Sequence, residues 1–247
     1  MGRGLAVVTG AGSGIGRATA QALAKRGLAV LCVGRRSDPL RETVESIGDS
    51  ARRVPADIST DEGVAAVCDA VGDGAAACIV HAAAVEGIAT MGETDRPTFD
   101  ALVATNLGGP FFLTRALLPS LGDGSSVVFV GSIAAVRGRD RHAAYAATKA
   151  GLLGLTVNLA AELAPRVRVN CVCVGATRTS MMEQAVREYV TAVGEAGAQK
   201  LWTVETPRLL LGVAEPAQIA ASIAFLALDA TFSTGTVLYA DGGYTAR

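Results

Sequence analysis

The chain has 247 residues, of which 50% are hydrophobic, 18% charged and 4% aromatic. With 22 Lys and Arg against 23 Asp and Glu, the formal net charge is −1 at pH 7. This apolar and nearly neutral composition excludes a disordered chain and argues against nucleic acid or an anionic membrane surface as the main partner.

Short apolar runs alternate with longer helical patterns from end to end. Strands are predicted at Leu5–Thr9, Ala29–Val33, Ala77–Val80, Val127–Gly131, Val167–Val172 and Val237–Tyr239, with a weaker one near Arg53–Ala56. Helices are predicted at Ile15–Lys25, Pro39–Ile47, Asp61–Val71, Arg96–Leu118, Ala143–Ala164, Met181–Val193 and Pro216–Leu228. Because the strands are continuously apolar, helices are expected on both faces of the sheet. The pattern predicts an α/β fold: one doubly wound, Rossmann-type, mostly parallel sheet in a single domain over residues 1–247.

The segment 179–212 differs from the regular units around it, because it carries Met181, Met182, the single tryptophan Trp202 and the run Leu209-Leu210-Leu211. Two interpretations remain open. The segment is either a helix pair packing on the core or a mobile lid that adds an apolar wall to a substrate pocket.

Location and metal content are predicted from what the sequence lacks. It has no run of 18 apolar residues, so no transmembrane helix is expected. Its cysteines are odd in number, lack CxxC spacing and are predicted to be small core residues in a reducing compartment. They are Cys32, Cys68, Cys78, Cys171 and Cys173. We therefore expect a cytoplasmic protein without a metal site.

A glycine-rich turn joins the first strand to the first helix. It reads Thr9-Gly10-Ala11-Gly12-Ser13-Gly14-Ile15-Gly16. Glycines allow the sharp bend and let backbone N–H groups approach a pyrophosphate, and the helix N-terminus adds partial positive charge. The spacing departs from GxGxxG, and a plain tight turn is the alternative. Its place between strand and helix favours a nucleotide site.

The second strand ends at Arg35 and Arg36, where an acidic residue would bind the ribose 2′-hydroxyl of NAD. No acidic residue lies between Gly27 and Ser37. A guanidinium suits a 2′-phosphate by charge and bidentate geometry, which favours NADP(H) over NAD(H). The alternative is a pair of solvated surface arginines.

Three residues suggest proton-transfer chemistry. Tyr145 and Lys149 are four apart on a predicted helix and therefore share one face. Ser132 follows the strand that precedes this helix, at the edge where open α/β sheets bind ligands. A phenol has an ordinary pKa of about 10, so a cation one turn away is needed to stabilise its phenolate near neutral pH.

These features together resemble the short-chain dehydrogenase/reductase family. They resemble in particular its ~250-residue branch that includes the 3-oxoacyl-acyl-carrier-protein reductases. The resemblance covers nearly the whole chain and rests on Thr9–Gly16, Asp57, Asn106, Ser132, Tyr145, Lys149 and Tyr239-Ala240-Asp241-Gly242-Gly243. It implies a seven-stranded parallel sheet, a nicotinamide dinucleotide cofactor and a homotetramer.

The resemblance also implies residue roles. Tyr145 would be the general acid/base, Ser132 would position the substrate carbonyl, Lys149 would lower the pKa of Tyr145 and bind the nicotinamide ribose, and Asn106 would support a water relay. Asp57 is expected at the adenine. The full expected cofactor-binding set is Gly10, Ser13, Gly14, Ile15, Gly16, Arg35, Arg36, Asp57, Ile58, Ala83, Asn106, Tyr145, Lys149, Gly175, Thr177 and Thr179.

Two departures from the family pattern carry expectations of their own. The usual Asn-Asn-Ala-Gly is replaced by His81-Ala82-Ala83-Ala84, which removes side-chain hydrogen bonds between neighbouring strands. His81 is expected to be structural and not catalytic. The usual Pro-Gly is replaced by Val174-Gly175, which is expected to loosen the loop at the nicotinamide.

The leading functional hypothesis is an oxidoreductase that moves a hydride between NADP(H) and a ketone or secondary alcohol. An NAD-dependent alcohol dehydrogenase and a non-catalytic dinucleotide-binding sensor are alternatives. A sugar-nucleotide epimerase would need a larger C-terminal substrate domain than the ~70 residues after Gly175.

A cluster of charged residues separates Ser132 from Tyr145. It contains Arg137, Arg139, Asp140, Arg141 and His142. It is either a solvated or interface loop, or a site where one arginine attracts an anionic substrate.

Overall fold

The structure is a computed structural model that describes residues 4–246. The strands are β1 (Leu5–Thr9), β2 (Ala29–Gly34), β3 (Ala51–Pro55), β4 (Ala76–His81), β5 (Leu121–Ser132), β6 (Val167–Val174) and β7 (Val237–Ala240). The helices are α1 (Gly14–Lys25), α2 (Ser37–Ile47), α3 (Asp61–Val71), α4 (Arg96–Val103), α5 (Gly109–Leu117), α6 (Ala143–Leu163), α7 (Ser180–Glu205) and α8 (Pro216–Ala224).

The strands form one parallel sheet in the order β3-β2-β1-β4-β5-β6-β7. The chain therefore winds outwards from β1 in one direction and from β4 in the other. This confirms the predicted doubly wound, Rossmann-type sheet and its seven strands. The order reverses between β1 and β4, and the crevice at such a switch point is where open α/β sheets bind ligands.

Successive β1 side chains enter two separate cores. Val7 packs with Val64 of α3 and Leu113 of α5 on one face of the sheet. Val8 packs with Leu23 of α1 and, through the same cluster, with Ile219 of α8 on the other face. Both faces of the sheet are therefore dry, which explains why its strands lack the alternating pattern of a half-exposed sheet.

The predicted elements are all present, and the differences lie at their ends. Strand β5 begins at Leu121 instead of Val127, because buried Leu121 pairs with Ala76 across a shift in register. The exposed Gly122-Asp123-Gly124 in between is a turn signal that hides this pairing in the sequence. Strand β3 lies at the sheet edge, and its exposed side chains account for its weak sequence signal.

The predicted helix Arg96–Leu118 contains a π turn at Ala104–Gly108 that separates α4 from α5. By length and composition alone, Arg96–Ser120 passes the test for a membrane-spanning helix. In this fold Leu102, Leu113 and Leu117 of that segment are buried within the domain, as in the core helix of a globular protein.

Helix α7 extends well beyond the predicted Val193. Its two halves meet at Gly194, whose φ of +73° and ψ of 168° interrupt the helical backbone. Among the described α7 residues only Ala198 is buried, so α7 contributes little to the core.

Candidate active site

Two clefts open at the carboxyl ends of the strands and meet at Tyr145. One begins at the turn after β1 and is called here the glycine-loop cleft. The other contains Ser132 and is called the Ser132 cleft. The cavity volume is about 210 Å³ for the glycine-loop cleft and about 170 Å³ for the Ser132 cleft. The residues common to both clefts are Ile15, Tyr145, Val174, Thr179 and Met181.

Most predicted cofactor residues line the glycine-loop cleft. They are Gly10, Ser13, Gly14, Ile15, Gly16, Arg35, Arg36, Asp57, Ile58, Ala83, Tyr145, Lys149 and Thr179. Gly175 and Thr177 instead line the Ser132 cleft, because the chain after β6 turns along that side towards α7. Asn106 lines neither cleft and is buried behind them.

The glycine-rich turn has no room for side chains. Gly14 has a φ of +50°, and a Cβ there would lie 2.9 Å from Cγ2 of Thr179. A Cβ on Gly16 would collide with the carbonyl oxygen of Gly10. The turn therefore packs closely against Gly10 and against Thr179 at the start of α7. Because its glycines have no side chains, its backbone is accessible from the cleft.

The far end of the glycine-loop cleft is electropositive. Arg35 and Arg36 are exposed, and neither forms a salt bridge within residues 4–246. Burial acts to raise the pKa of Asp57, but hydrogen bonds from Ser59 and the charge of Arg35 outweigh it and hold that pKa below its ordinary value. Asp57 therefore stays ionised, with Oδ1 accepting from Ser59 N at 3.0 Å.

The loop after β4 is held by hydrogen bonds between its backbone and the side chains of Thr9 and Asn106. The hydroxyl of Thr9 accepts hydrogen bonds from Ala82 N and Ala83 N, each at 3.1 Å. The side chain of Asn106 accepts from Val85 N and donates to Val85 O, both at 2.8 Å. The strand ends therefore remain tied together without the family's side chains.

Asn106 lies in the π turn between α4 and α5, a feature common at functional sites. Its Nδ2 also donates to the hydroxyl of Thr148 at 3.2 Å. The α6 residue that it contacts is therefore Thr148 and not the adjacent Lys149. This places Asn106 as a brace between the β4 loop and α6.

Ser132, Tyr145 and Lys149 converge where the clefts meet, and all three side chains are buried. Ser132 ends β5, and its hydroxyl accepts from Ala134 N at 3.1 Å. Tyr145 and Lys149 lie one turn apart on α6, with Nζ of Lys149 5.7 Å from the centroid of the Tyr145 ring. Nζ also donates to Val130 O at 2.9 Å, which fixes the ammonium group under the glycine-loop cleft.

Burial dominates the electrostatics of Tyr145 and Lys149. Burial, followed by the negative charge of Glu86, raises the pKa of Tyr145, while Ser132 and Arg139 act to lower it. Burial lowers the pKa of Lys149 to about 8. Desolvation of the phenol outweighs the charges around it, and the lowering of the Tyr145 pKa by Lys149 that the resemblance implies stays a prediction.

Glu86 and His142 are cleft residues for which no individual role was predicted. Both line the Ser132 cleft, with Glu86 Oε1 3.4 Å from His142 Nε2. His142 Nδ1 lies 2.6 Å from the carbonyl oxygen of Asp140, which can only accept, so Nδ1 carries a proton. Glu86 follows β4 by five residues at the ligand-binding edge, and that position was the available signal.

The loop after β6 forms backbone hydrogen bonds to neighbouring elements, and the loosening expected from Val174-Gly175 stays a prediction. Gly175 N donates to Ala240 O at 3.2 Å, and Ala214 N donates to Ala176 O at 2.9 Å. Thr179 caps α7 by accepting from Met182 N at 3.2 Å. Backbone hydrogen bonds thus connect this loop to the end of β7 and to the segment that precedes α8.

Helix α7 and the turn after it form the apolar wall of the Ser132 cleft. That wall contains Met181, Met182, Val186, Trp202 and Leu209. Leu210 and Leu211 of the same segment are exposed. Within the described part of the chain, no group of three or more His, Cys, Asp or Glu side chains is arranged to hold a metal ion.

Comparison with known proteins identifies relatives along the whole chain. Residues 10–245 match a family model described as enoyl-(acyl carrier protein) reductase. The chain is 31% identical to carbonyl reductase family member 4 of Danio rerio, covering 97% of each chain. It is also 31% identical to 3-oxoacyl-[acyl-carrier-protein] reductase FabG of Vibrio cholerae, covering 97% of this chain and 96% of that protein. The crystal structure of levodione reductase superposes with a TM-score of 0.89 at 30% identity, covering 98% of each chain.

Proposed function

The chain belongs to the short-chain dehydrogenase/reductase family of NAD(P)-dependent oxidoreductases, and on that basis we propose that it interconverts a ketone and a secondary alcohol with NADP(H). The observation that carries this proposal is the convergence of Ser132, Tyr145 and Lys149 at the junction of two clefts. One cleft suits a dinucleotide, and the other suits a small molecule whose body packs on an apolar wall.

The residues present fit the cofactor. The bare backbone of the glycine-rich turn lies at the N-terminus of α1, which suits a pyrophosphate. The cleft then runs from Arg35 at one end to Lys149 at the other. Asp57 would contact the adenine and Thr179 would lie near the nicotinamide. A bound reduced nicotinamide supplies the hydride for the carbonyl carbon.

The tip of β2 supports NADP(H) over NAD(H). Arg35 and Arg36 are exposed, line the cleft and lack salt-bridge partners within the described chain. An unpaired guanidinium can bind a 2′-phosphate through charge-assisted hydrogen bonds. No carboxylate is present on this tip to bind a free 2′-hydroxyl, as NAD would require.

Tyr145 is the proposed general acid/base. Its raised pKa keeps the phenol protonated near neutral pH, so in the reductive direction it can donate that proton to the carbonyl oxygen. The Ser132 hydroxyl would donate a hydrogen bond to the same oxygen and hold the carbonyl in place. Lys149 carries positive charge below its pKa of about 8 and would stabilise the phenolate left after proton transfer.

Two alternatives make different predictions. A non-catalytic sensor would bind cofactor without turning over any ketone, and the intact set of Ser132, Tyr145 and Lys149 argues against it. An NAD-dependent alcohol dehydrogenase would favour the unphosphorylated cofactor, and Arg35 and Arg36 argue against that. The test is a panel of ketones and alcohols assayed with NADPH, NADH and their oxidised forms by nicotinamide absorbance. NADPH-dependent reduction of a ketone is expected, and cofactor binding without any turnover would favour the sensor.

The assembly proposed is a homotetramer. Phe111 and Phe112 on α5 and Val157 on α6 are large apolar side chains exposed on one chain. Phe225 and Phe232 are exposed near the end of α8. Apolar groups concentrated in separate regions of a surface are typical of subunit contacts, and two such contacts are sufficient for a closed tetramer.

The remaining proposals concern the lid and the location. Segment 179–212 is proposed as a substrate lid, because α7 contributes apolar wall to the Ser132 cleft and breaks at Gly194. A cytoplasmic location is proposed, since the five cysteines are free thiols and all but the half-buried Cys68 are buried.

A further inference from the structure

The three arginines between Ser132 and Tyr145 differ in their partners and in their positions relative to the Ser132 cleft. Arg137 donates to the carbonyl oxygen of Thr245 at 2.8 Å. Arg141 forms a salt bridge with Glu93. Arg139 alone among these three arginines lines the Ser132 cleft.

Arg139 has no partner to match its charge. None of its atoms forms a hydrogen bond or salt bridge within residues 4–246. Its Nε is buried and lacks any acceptor, which is a costly arrangement for a charged donor. Its charge nevertheless reaches the site, where it acts to lower the pKa values of Tyr145, Tyr189 and Tyr244.

The carboxylates of the same cleft are already engaged. Glu86 faces His142 Nε2 at 3.4 Å, and Glu205 accepts a hydrogen bond from the hydroxyl of Tyr244. Neither forms a salt bridge with Arg139. The guanidinium is therefore the one cleft-lining charge, within the described chain, that has no counter-group.

The position of Arg139 is set by its anchored neighbours. The carboxylate of Asp140 accepts from the hydroxyl of Tyr189 on α7 at 3.3 Å. Arg141 and His142 are held by Glu93 and Glu86, as described above. The backbone at Arg139 is therefore held in place before a ligand binds, which reduces the cost of ordering the loop.

We propose that the Ser132 cleft binds ketones or alcohols that carry a carboxylate, and that Arg139 is the residue that binds it. The carboxylate would accept charge-assisted hydrogen bonds from the terminal nitrogens of the guanidinium. The apolar wall of Met181, Met182 and Trp202 would cover the body of the substrate. One guanidinium matches a single monoanionic group. The proposal rests on the proposed function, since it names the substrate class of that site.

Binding can be tested apart from catalysis, because Trp202 is the only tryptophan and lines this cleft. The fluorescence of Trp202 is titrated, with NADP⁺ saturating, against 6-oxoheptanoate and its neutral amide. Steady-state reduction by NADPH is measured for this pair and for 4-acetylbenzoate and its amide. The variants are Arg139→Gln and Arg139→Lys, with Arg96→Gln as the control that removes an exposed charge from α4, outside the cleft.

The acid is expected to bind about tenfold or more tightly than the amide, as for a charge-assisted pair. Arg139→Gln should remove this preference without weakening amide binding, whereas Arg139→Lys should keep part of it and Arg96→Gln all of it. The preference should persist at 0.5 M salt, where long-range attraction is screened but direct contact survives.

Equal affinity for acid and amide in both pairs, or an equal loss for both in Arg139→Gln, overturns the inference even if both ketones are reduced. An Arg139-dependent preference for the acid without reduction of any ketone supports the carboxylate site and refutes the proposed reaction.

Discussion

Replacing His81 by asparagine should change how the stability of the protein depends on pH. The imidazole is buried beneath the glycine-loop cleft, stacked on Phe129 at 5.2 Å between ring centroids. Its Nε2 lies 2.8 Å from the hydroxyl of Thr114, while its buried Nδ1 has no hydrogen-bond partner. A second proton would have to be placed on Nδ1 without an acceptor. Burial accordingly lowers the pKa of His81 to about 3.

The sign follows from the two pKa values. In the unfolded chain His81 takes up a proton below its ordinary pKa of about 6.5, whereas in the folded chain it stays neutral down to about 3. The contribution of the neutral His81 side chain to the free energy of unfolding is therefore fully present above pH 6.5 and is lost as the pH falls towards 3. At pH 5, which is 1.5 pH units below the ordinary pKa, protonation of His81 in the unfolded chain lowers the free energy of unfolding by about 2 kcal/mol.

Urea unfolding of the wild type and His81→Asn at pH 7 and pH 5 measures this difference. The experiment uses one protomer concentration, because assembly would make the apparent stability depend on it. The wild type should lose about 2 kcal/mol more than the variant between the two pH values. Thr114→Val is the control: it should lower stability at both pH values and keep the wild-type dependence on pH. Equal pH dependence in the wild type and His81→Asn would refute this reasoning.

Three further predictions concern catalysis, cofactor choice and assembly. Tyr145→Phe should lower turnover by about 10²–10⁴-fold and leave NADPH affinity unchanged, because only the proton donor is removed. Replacing Arg35 and Arg36 together by serine should weaken NADPH binding by about 2–3 kcal/mol and leave NADH binding unchanged, measured by nicotinamide fluorescence. Replacing Phe111 and Phe112 together by serine should reduce the mass measured by sedimentation, because it removes exposed apolar area from the proposed subunit contact.

Each of these predictions has a matched control. Tyr189→Phe removes a phenol from the wall of the same cleft and should keep most of the turnover. Arg41→Ser removes a charge from α2 that is already paired with Asp38 and Glu45, and it should not alter cofactor preference. Wild-type turnover in Tyr145→Phe, or equal losses of NADPH and NADH affinity in the arginine variant, would contradict the assigned roles. An unchanged mass in the phenylalanine variant would place the subunit contact elsewhere.

The sequence by itself determined the strands, their parallel arrangement and the location of the ligand-binding edge. These features depend on local patterns: continuous apolar runs, the glycines that bare the backbone near Gly14, and the one-turn spacing of Tyr145 and Lys149. Each pattern lies within about twenty residues, because hydrophobic periodicity and backbone conformational preferences depend on neighbouring residues. The departures from the family's usual pattern at the strand ends are also visible in the sequence, as His81 in place of an asparagine illustrates.

Only the tertiary structure decided which side chains share a charge environment. Glu86 pairs with His142, which lies more than fifty residues further along the chain. Burial by surrounding segments raises the pKa of Tyr145. Of the three arginines in the loop before Tyr145, only Arg139 lines the cleft. The backbone hydrogen bond from Gly175 to the end of β7 likewise joins distant parts of the chain. Desolvation and charge depend on distances in space. Those distances are set by strand register and helix packing, which no local pattern specifies.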